Sequence, residues 1–583
     1  MPGVGYDAGM HIDVVPNRNS RPAYLLRESY RVGDKVKKRT LANLSSLSDE
    51  QIAALRIVLQ GRPLVPADSV FEVLQSRQHG QAMAVSVAMY RLGIADLLGS
   101  RSSPQRSLVL AMIAARIIAP ATKLATTRWW HGSTLVEDLG VADANEDAVY
   151  AAMDWLLERQ DSIERRLAKR HLPENGVVLY DLSSSYFEGS HCPLAKLGYS
   201  RDGKPGMLQV NYGLMTDVRG CPVAVSVFPG NTADPSTLMP QVRRLKDDFA
   251  LAQLVLVGDR GMISGKAITQ LRDEEGIDWI TALKSGSIRR LVDQGVVQPG
   301  LFDEHNLFEF DHLDYPDERL IACRNPQLAK LRAHKRQDLL SATERHLEPI
   351  RQRVKAGRLS GQDKIGVAVG KVLSKYKMGK HFQLEIEDQA LRYSRKTEAI
   401  AAEAALDGIY IIRTSVKAER MDDADCVRHY KALANVERAF RTLKSVDLKI
   451  RPIHHRLEPR VRAHIFLCML AYYVEWHMRE AWRELLFADE DQAAKRRRDP
   501  VAPAERSDAA LAKIATRKHN DGTPIHSFAT LMADLGSIVR NTCQPREAAA
   551  NSAKFDLITT PNTTQARALQ LLEGIKPTAA TQM

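Results

Sequence analysis

Two runs, "VVLYDLSSSYF" (177–187) and "LVLVGDRGM" (254–262), constrain this chain more than any other feature. Each sets β-branched and apolar residues at consecutive positions, the pattern of a strand covered on both faces. Each then delivers an aspartate, Asp181 or Asp259, next to serines or a turn. From 177 to 285 the chain alternates strand and helix. "VVLYDLSS", "MLQVNYGLMTD" and "PVAVSVFPG" read as hairpin-linked strands. "LVLVGD" and "WITAL" follow, with "PSTLMPQVRRLKDDFA" and "SGKAITQLRDEEG" as helices between. That order predicts a mixed sheet in an α/β layer.

A chain of 583 residues exceeds what one compact core can serve. Residues 1–47 read as a strand-rich hairpin region, with "HIDVV", "AYLLRESYRV" and "VKKRTLANL" around a tight turn. Residues 48–172 carry helical periodicity and Gly/Pro punctuation, as in a small bundle. "GRPLVPADS" (61–69) reads as a linker. After the first α/β stretch (173–285) the rhythm breaks over 286–405, a basic segment containing a long helix near 327–357. It resumes at "DGIYIIRTS" (407–415), so 286–405 reads as an insertion and 406–486 as the second half of the core with its following helix. "HIFLCMLAYYVEW" (464–476) is too short for a membrane span and reads as a core helix. Residues 487–583 read as a linker, including "KRRR" (495–498), and a C-terminal tail.

Lys and Arg outnumber Asp and Glu by 82 to 70. The excess is concentrated: residues 326–381 hold fourteen basic and four acidic side chains, and 18–39 and 438–462 each hold eight against two. Three separated basic stretches suit an extended polyanion such as nucleic acid. The six cysteines form no C-x-x-C pair, which argues against a zinc site or a disulfide framework. No signal-peptide pattern and no long apolar run is present, so the expectation is a soluble, cytoplasmic protein without a membrane partner.

An aspartate after a strand is most often a turn or cap residue, as Asp217, Asp234 and Asp278 illustrate. Two on one sheet, however, can share divalent cations, which prefer hard oxygen donors. A third acid comes from "HYKALANVERAFRTLKS" (429–445). At helical period, Ala432, Val436, Ala439, Phe440 and Leu443 form an apolar stripe, and Tyr430, Glu437, Arg441 and Lys444 gather on the adjoining one.

"YKALANVERAFRTLK" resembles the Y-x2-R-x3-E-x6-K signature of bacterial insertion-sequence transposases that carry the DDE (Asp-Asp-Glu) triad. Tyr430, Glu437 and Lys444 match; Leu433 stands at the Arg position. "DLSSSYF" resembles the family's first-Asp strand, "GDRGM" its second-Asp turn, and "PGNTAD" (229–234) a loop between them. Spacings of 78 residues (181 to 259) and 178 residues (259 to 437) fit a core interrupted before its last helix.

The resemblance implies a ribonuclease-H-like α/β core with a β-rich or mixed insertion, preceded by a mostly helical DNA-binding region. It implies that Asp181, Asp259 and Glu437 are catalytic and ligate two Mg²⁺ ions, with Mn²⁺ as a substitute. Tyr430, Lys444, Arg441 and Arg260 would contact DNA. The activity would be cleavage at the ends of the element and joining of 3′-hydroxyls to target DNA, by a homodimer assembled on terminal inverted repeats and target. Two other readings share part of this pattern: a transposase-derived DNA-binding protein without catalysis, and another ribonuclease-H-like nuclease such as a resolvase. An aspartyl-phosphate phosphatase would want an acid two residues after the first, where Ser183 stands.

Overall fold

The computed structural model describes residues 9–18, 21–61, 71–298, 302, 306–502, 505–519, 521–546 and 553–576. The linker read at 61–69 therefore lies, but for Gly61, outside the described residues. The chain forms two compact units, one from residues 1–76 with 540–558, the other from 77–539 with 559–583.

In the smaller unit, β1 (Met10–Val15), β2 (Ala23–Val32) and β3 (Lys35–Asn43) form an antiparallel sheet. Gly33, at φ +62°, supplies the left-handed residue that the β2–β3 turn needs. A helix follows at Asp49–Leu59, closed by a reciprocal Ser48–Gln51 capping box. A second sheet has the order β16 (Phe555–Ile558), β15 (Val539–Pro545), β4 (Phe71–Gln78). Strands from near both ends of the chain thus meet, in segments read as a tail and as part of a helical region.

The larger unit is organised by one eight-stranded sheet. Its core strands are β5 (Val177–Tyr186), β6 (Gln209–Thr216), β7 (Pro222–Pro229), β8 (Leu254–Val257) and β9 (Ile277–Ala282). β5, β6 and β7 are antiparallel neighbours, whereas β5–β8 and β8–β9 pair in parallel, so the sheet is mixed as the linkage pattern predicts. β8 is buried along its whole length, in keeping with its unbroken apolar run, and so is β6, which also buries Gln209, Asn211 and Thr216. Beyond β9 the order continues through β14 (Ile409–Thr414), β11 (Arg319–Arg324) and β10 (Leu307–Phe310), all antiparallel. An α/β core with this strand order fits the ribonuclease-H-like type.

The insertion differs from the expected one in extent, and of the two expected make-ups it is mixed rather than β-rich. β10 and β11 extend the main sheet rather than leaving it. The segment that does leave is mainly helical: a 30-residue helix at Pro326–Lys355, another at Gln362–Tyr376, and a single hairpin, β12 (Phe382–Glu387) with β13 (Ala390–Arg395). It has its own small core, where Leu340, Leu347, Ile365 and Val369 meet Phe382 and Leu391. Apolar residues at helical spacing on long charged helices suffice to close it.

Helices at Gly80–Arg91, Pro104–Ile118, Glu146–Leu157 and Gln160–His171 confirm helical periodicity. They are not a separate body. Val85, Met112, Met153 and Leu167 share one apolar cluster with Val178 and Val255 of the sheet. The link is the Glu458–Ala481 helix, which packs on β7 and against the Pro104–Ile118 and Glu146–Leu157 helices. It is buried on every side from Ala463 to Met478, which is why it reads as a near-membrane apolar run. The C-terminal helices Phe528–Leu535 and Thr563–Glu573 add Leu531, Leu535, Ala568 and Leu572 to the same cluster. Gly80 permits this closeness, since a Cβ there would stand 2.2 Å from the Leu535 carbonyl oxygen. The "linker" is likewise partly fixed: Val501 is fully buried and its carbonyl accepts from Asn325 and Lys431. Among the described residues, no single helix is long and apolar enough to cross a membrane.

Phe466 is fully buried where these layers meet. Phe466→Ala is expected to cost about 3–5 kcal/mol by lost transfer energy and cavity formation, read as a lowered denaturant midpoint for the larger unit.

Candidate active site

The parallel ladder between β5 and β8 pairs Val177, Val178 and Leu179 with Val255, Leu256 and Val257. It stops two residues short of Asp181 on one strand and two short of Asp259 on the other. Register alone thus carries the two aspartates toward neighbouring positions. Asp181 is not at its strand's exit, as expected, but inside β5, opposite Leu214 of β6. The strand that ends is β8.

Alternation puts Asp181, Ser183 and Ser185 on one face of β5. Ser185 Oγ lies 2.9 Å from the Tyr212 hydroxyl, and the Tyr212 ring packs edge-on against Phe440 at 5.7 Å. The face of Asp181 therefore looks onto the segment carrying Glu437. That segment, read at helical period over 429–445, is helical at Asp423–Lys431 and Leu433–Arg441, with a break at Ala432. A π-helical turn closes it at Thr442–Val446. Val436, Ala439, Phe440 and Leu443 are buried as the stripe predicts. Glu437, on the stripe's edge, is exposed.

Electrostatics reports the convergence. Burial, followed by the charges of Asp259 and Glu437, pushes the Asp181 carboxyl up to about 7, against the pull of the Leu182 N–H and Arg201. Leu182 donates to Asp181 Oδ1 at 2.8 Å. Asp259 is exposed, and the Tyr430 hydroxyl stands 3.5 Å from its Oδ1, at the outer limit of a hydrogen bond. Burial first, then Asp259, with Glu437 adding less, raises the Tyr430 phenol to about 12, while Arg260 opposes. Three acids from three separate elements, one tyrosine and two arginines (Arg201 and Arg260) thus act on one another.

Arg260 and Arg441 are exposed. Lys444 departs from expectation. It is buried, and its Nζ donates to Asp202 Oδ1 at 2.9 Å. Lys444 lies within the π-helical turn. Leu433 packs half-buried against the main apolar cluster, so at the signature's Arg position this chain spends the side chain on packing.

Sequence reasoning missed Arg201 and Asp202, in "GYSRDGKPG". A charged pair in a Gly/Pro-rich loop carries no periodic signal, and only tertiary pairing distinguishes it from surface. Asp217 caps the β6–β7 turn through the Arg219 and Cys221 N–H groups, and Asp278 pairs with Arg420. In "PIHHRLEPRVRAH", His464 bonds the Ile450 carbonyl, and burial holds the His455 imidazole down at about 3, as befits packed neutral rings.

Among the described residues, the trio of possible metal donors with all atoms within 4.8 Å of one another is His171, Cys221 and His477. The three acids do not close to that spacing. The trio is buried, and burial with the nearby Arg219 and Arg170 holds His171 at about 4 and His477 at about 3. A Tyr473 hydroxyl 3.0 Å from His171 Nε2 completes a neutral packed cluster. The acids remain the hard-oxygen set.

A raised carboxyl pKa stabilises the fold below the unfolded value, near 3.8, and that stability is lost as pH rises toward about 7. In chelator-containing buffer, Asp181→Asn should therefore gain roughly 1–3 kcal/mol over the parent at pH 8. The gain should vanish near pH 4. Paired thermal melts across pH measure it.

Residues 177–474, just over half the chain, match the family model described as Transposase DDE domain. Residues 12–64 match the N-terminal domain of IS1634 family transposases. No curated protein matches. One solved structure, a cryo-EM structure of a piggyBac transposase synaptic complex with hairpin DNA, aligns over 78% of each chain at 7% identity and a TM-score of 0.34.

Proposed function

The chain belongs to the DDE-domain transposases of insertion sequences, and from that premise we propose that Asp181, Asp259 and Glu437 are its catalytic triad. The reaction proposed is cleavage at the ends of its own element, followed by attack of the freed 3′-hydroxyls on target DNA. The reading rests on the β5–β8 register, whose paired residues end two short of each aspartate, and on the Tyr212–Phe440 contact between the Asp181 face of β5 and the Glu437 segment.

Transposases of this family bind DNA and use divalent metal ions. The donor set here fits such ions. It consists of hard carboxylate oxygens, and Asp181 is held near neutrality by burial and two neighbouring anions, so a cation would restore its charge. Asp181, Asp259 and Glu437 would hold two Mg²⁺ ions, with Mn²⁺ as a substitute. Bound there, the ions supply Lewis acidity to the attacking and leaving oxygens of an in-line displacement at phosphorus. Tyr430 orients Asp259 through its hydroxyl. Exposed Arg260 and Arg441 take phosphates beside the scissile bond.

The insertion's helices present Lys330, Arg332, Lys335, Arg353, Lys364 and Lys371 to solvent, a surface suited to the duplex backbone. Joining two ends in one reaction calls for two sites, hence a homodimer on DNA holding terminal inverted repeats and target.

With a duplex carrying the element's own end, Asp181→Ala, Asp259→Ala and Glu437→Ala should each lower Mg²⁺-dependent 3′-end nicking by at least about 10³-fold. Gel-shift affinity should stay near that of the parent. Nicking by all three variants at the parent rate overturns the assignment.

A further inference from the structure

His171, Cys221 and His477 meet from three elements that lie far apart in the chain. His171 ends the Gln160–His171 helix, Cys221 is the last residue before β7, and His477 lies near the end of the Glu458–Ala481 helix. Each offers one donor atom, and those atoms all lie within 4.8 Å of one another. Cys221 Sγ stands 3.8 Å from His477 Nε2. Nitrogen and sulfur donors bound to one Zn²⁺ at about 2.0–2.3 Å lie roughly 3.3–3.8 Å apart. The Cys221–His477 edge already has that length. The missing C-x-x-C spacing shows only that these donors are not local in sequence.

The His171 ring is set for ligation. Its Nε2 lies 3.0 Å from the Tyr473 hydroxyl, and its Nδ1 is buried with no hydrogen-bond partner among the described residues. A buried nitrogen left so is costly, and a cation removes that cost. Ligating imidazoles donate their other N–H to an oxygen, which fixes the tautomer, and the Tyr473 hydroxyl supplies that oxygen here. Without an ion the cluster is neutral, and neutral imidazole is the form that binds metal. Burial likewise holds the Cys221 thiol in its protonated form, so an ion must displace that proton, as zinc does from a coordinating thiol.

The surrounding charge is paired. Arg219, whose charge reaches both imidazoles, donates through Nε to Asp217 at 2.9 Å, and Asp217 also accepts the Cys221 N–H at 3.0 Å. The Tyr473 and Trp476 rings stand 4.7 and 4.9 Å from the His477 ring and keep the cluster dry. One thiolate with two imidazoles is a softer donor set than the carboxylates of the candidate active site, and it suits Zn²⁺ rather than Mg²⁺.

We propose that His171 Nδ1, Cys221 Sγ and a ring nitrogen of His477 bind one Zn²⁺, with a water as the fourth donor. On binding, the Cys221 S–H bond breaks, its proton leaves to solvent and a sulfur–zinc bond forms, while both imidazoles stay neutral. The trio is 4%, 0% and 5% exposed in chain order, so the ion enters as the chain folds. It pins the helical region, the sheet and the long buried helix at one point. The β6–β7 turn that carries Cys221 also accepts Asn435 Nδ2 at the Val218 carbonyl, 2.9 Å away, so the clamp reaches the helix of Glu437. The site stands whether or not the acids are catalytic.

The test is the metal content of the full chain. Produced in zinc-supplemented medium and dialysed against a chelator, the parent should keep about one Zn²⁺ per chain. The double variant Asp181→Asn, Glu437→Gln should keep the same amount. Cys221→Ser and His477→Gln should each fall below about a tenth of it. Produced with Co²⁺ instead, the parent should show a thiolate-to-cobalt charge-transfer band, which Cys221→Ser loses and Cys192→Ser, altering another buried thiol, keeps. A parent that retains no zinc overturns the proposal, as does a folded Cys221→Ser chain that retains the full amount. Zinc lost only in the double acid variant places the ion at the acids and overturns it too. Should Cys221→Ser fail to fold, the parent's cobalt spectrum decides: without the sulfur band the proposal falls.

Discussion

Everything at the candidate site depends on how β5 and β8 lie side by side. Three paired residues set the register, and a slip of one would turn Asp181 to the opposite face of its strand. The register is well protected. Val178, Leu179 and the whole of β8 are buried, so a slip would move every one of those side chains against the wrong layer. The hydrophobic effect, which knows nothing of catalysis, therefore fixes the register on which the positions of Asp181 and Asp259 depend.

The cost of the arrangement appears at Asp181. Burial and mutual repulsion favour the neutral form of Asp181, and the fold tolerates this because Leu182 and Arg201 offset part of it. Around the acids the chain distributes its cations unequally. Arg260 and Arg441 face solvent, Arg201 is half-committed to Asp234, and Lys444 and Arg451 are spent on Asp202. A basic residue near an active site is thus not by itself a DNA contact; its partners decide.

The larger unit also shows how far one helix can integrate a chain. Glu458–Ala481 is wrapped by the sheet on one side and by helices from residues 80–171 on others. Glu475 on it, fully buried and raised to about 8 chiefly by desolvation, accepts a hydrogen bond from Arg479 Nε at 2.6 Å. With such a spine, regions that look independent in sequence share one hydrophobic core.

Continuous apolar runs fixed β5, β8 and β14, and hairpin-then-helix order fixed the mixed sheet, because burial on two faces leaves a compositional trace that is local. The same holds for the stripe of Val436, Ala439 and Phe440, whose spacing sets Glu437 at its edge. What tertiary structure alone decided is of another kind. The Asp202 node that receives Lys444 and the C-terminal strands beside β4 both depend on pairings between residues far apart in the chain. Periodicity records which face of an element is apolar; it does not record what will pack against that face, and a charge in a loop has no period at all.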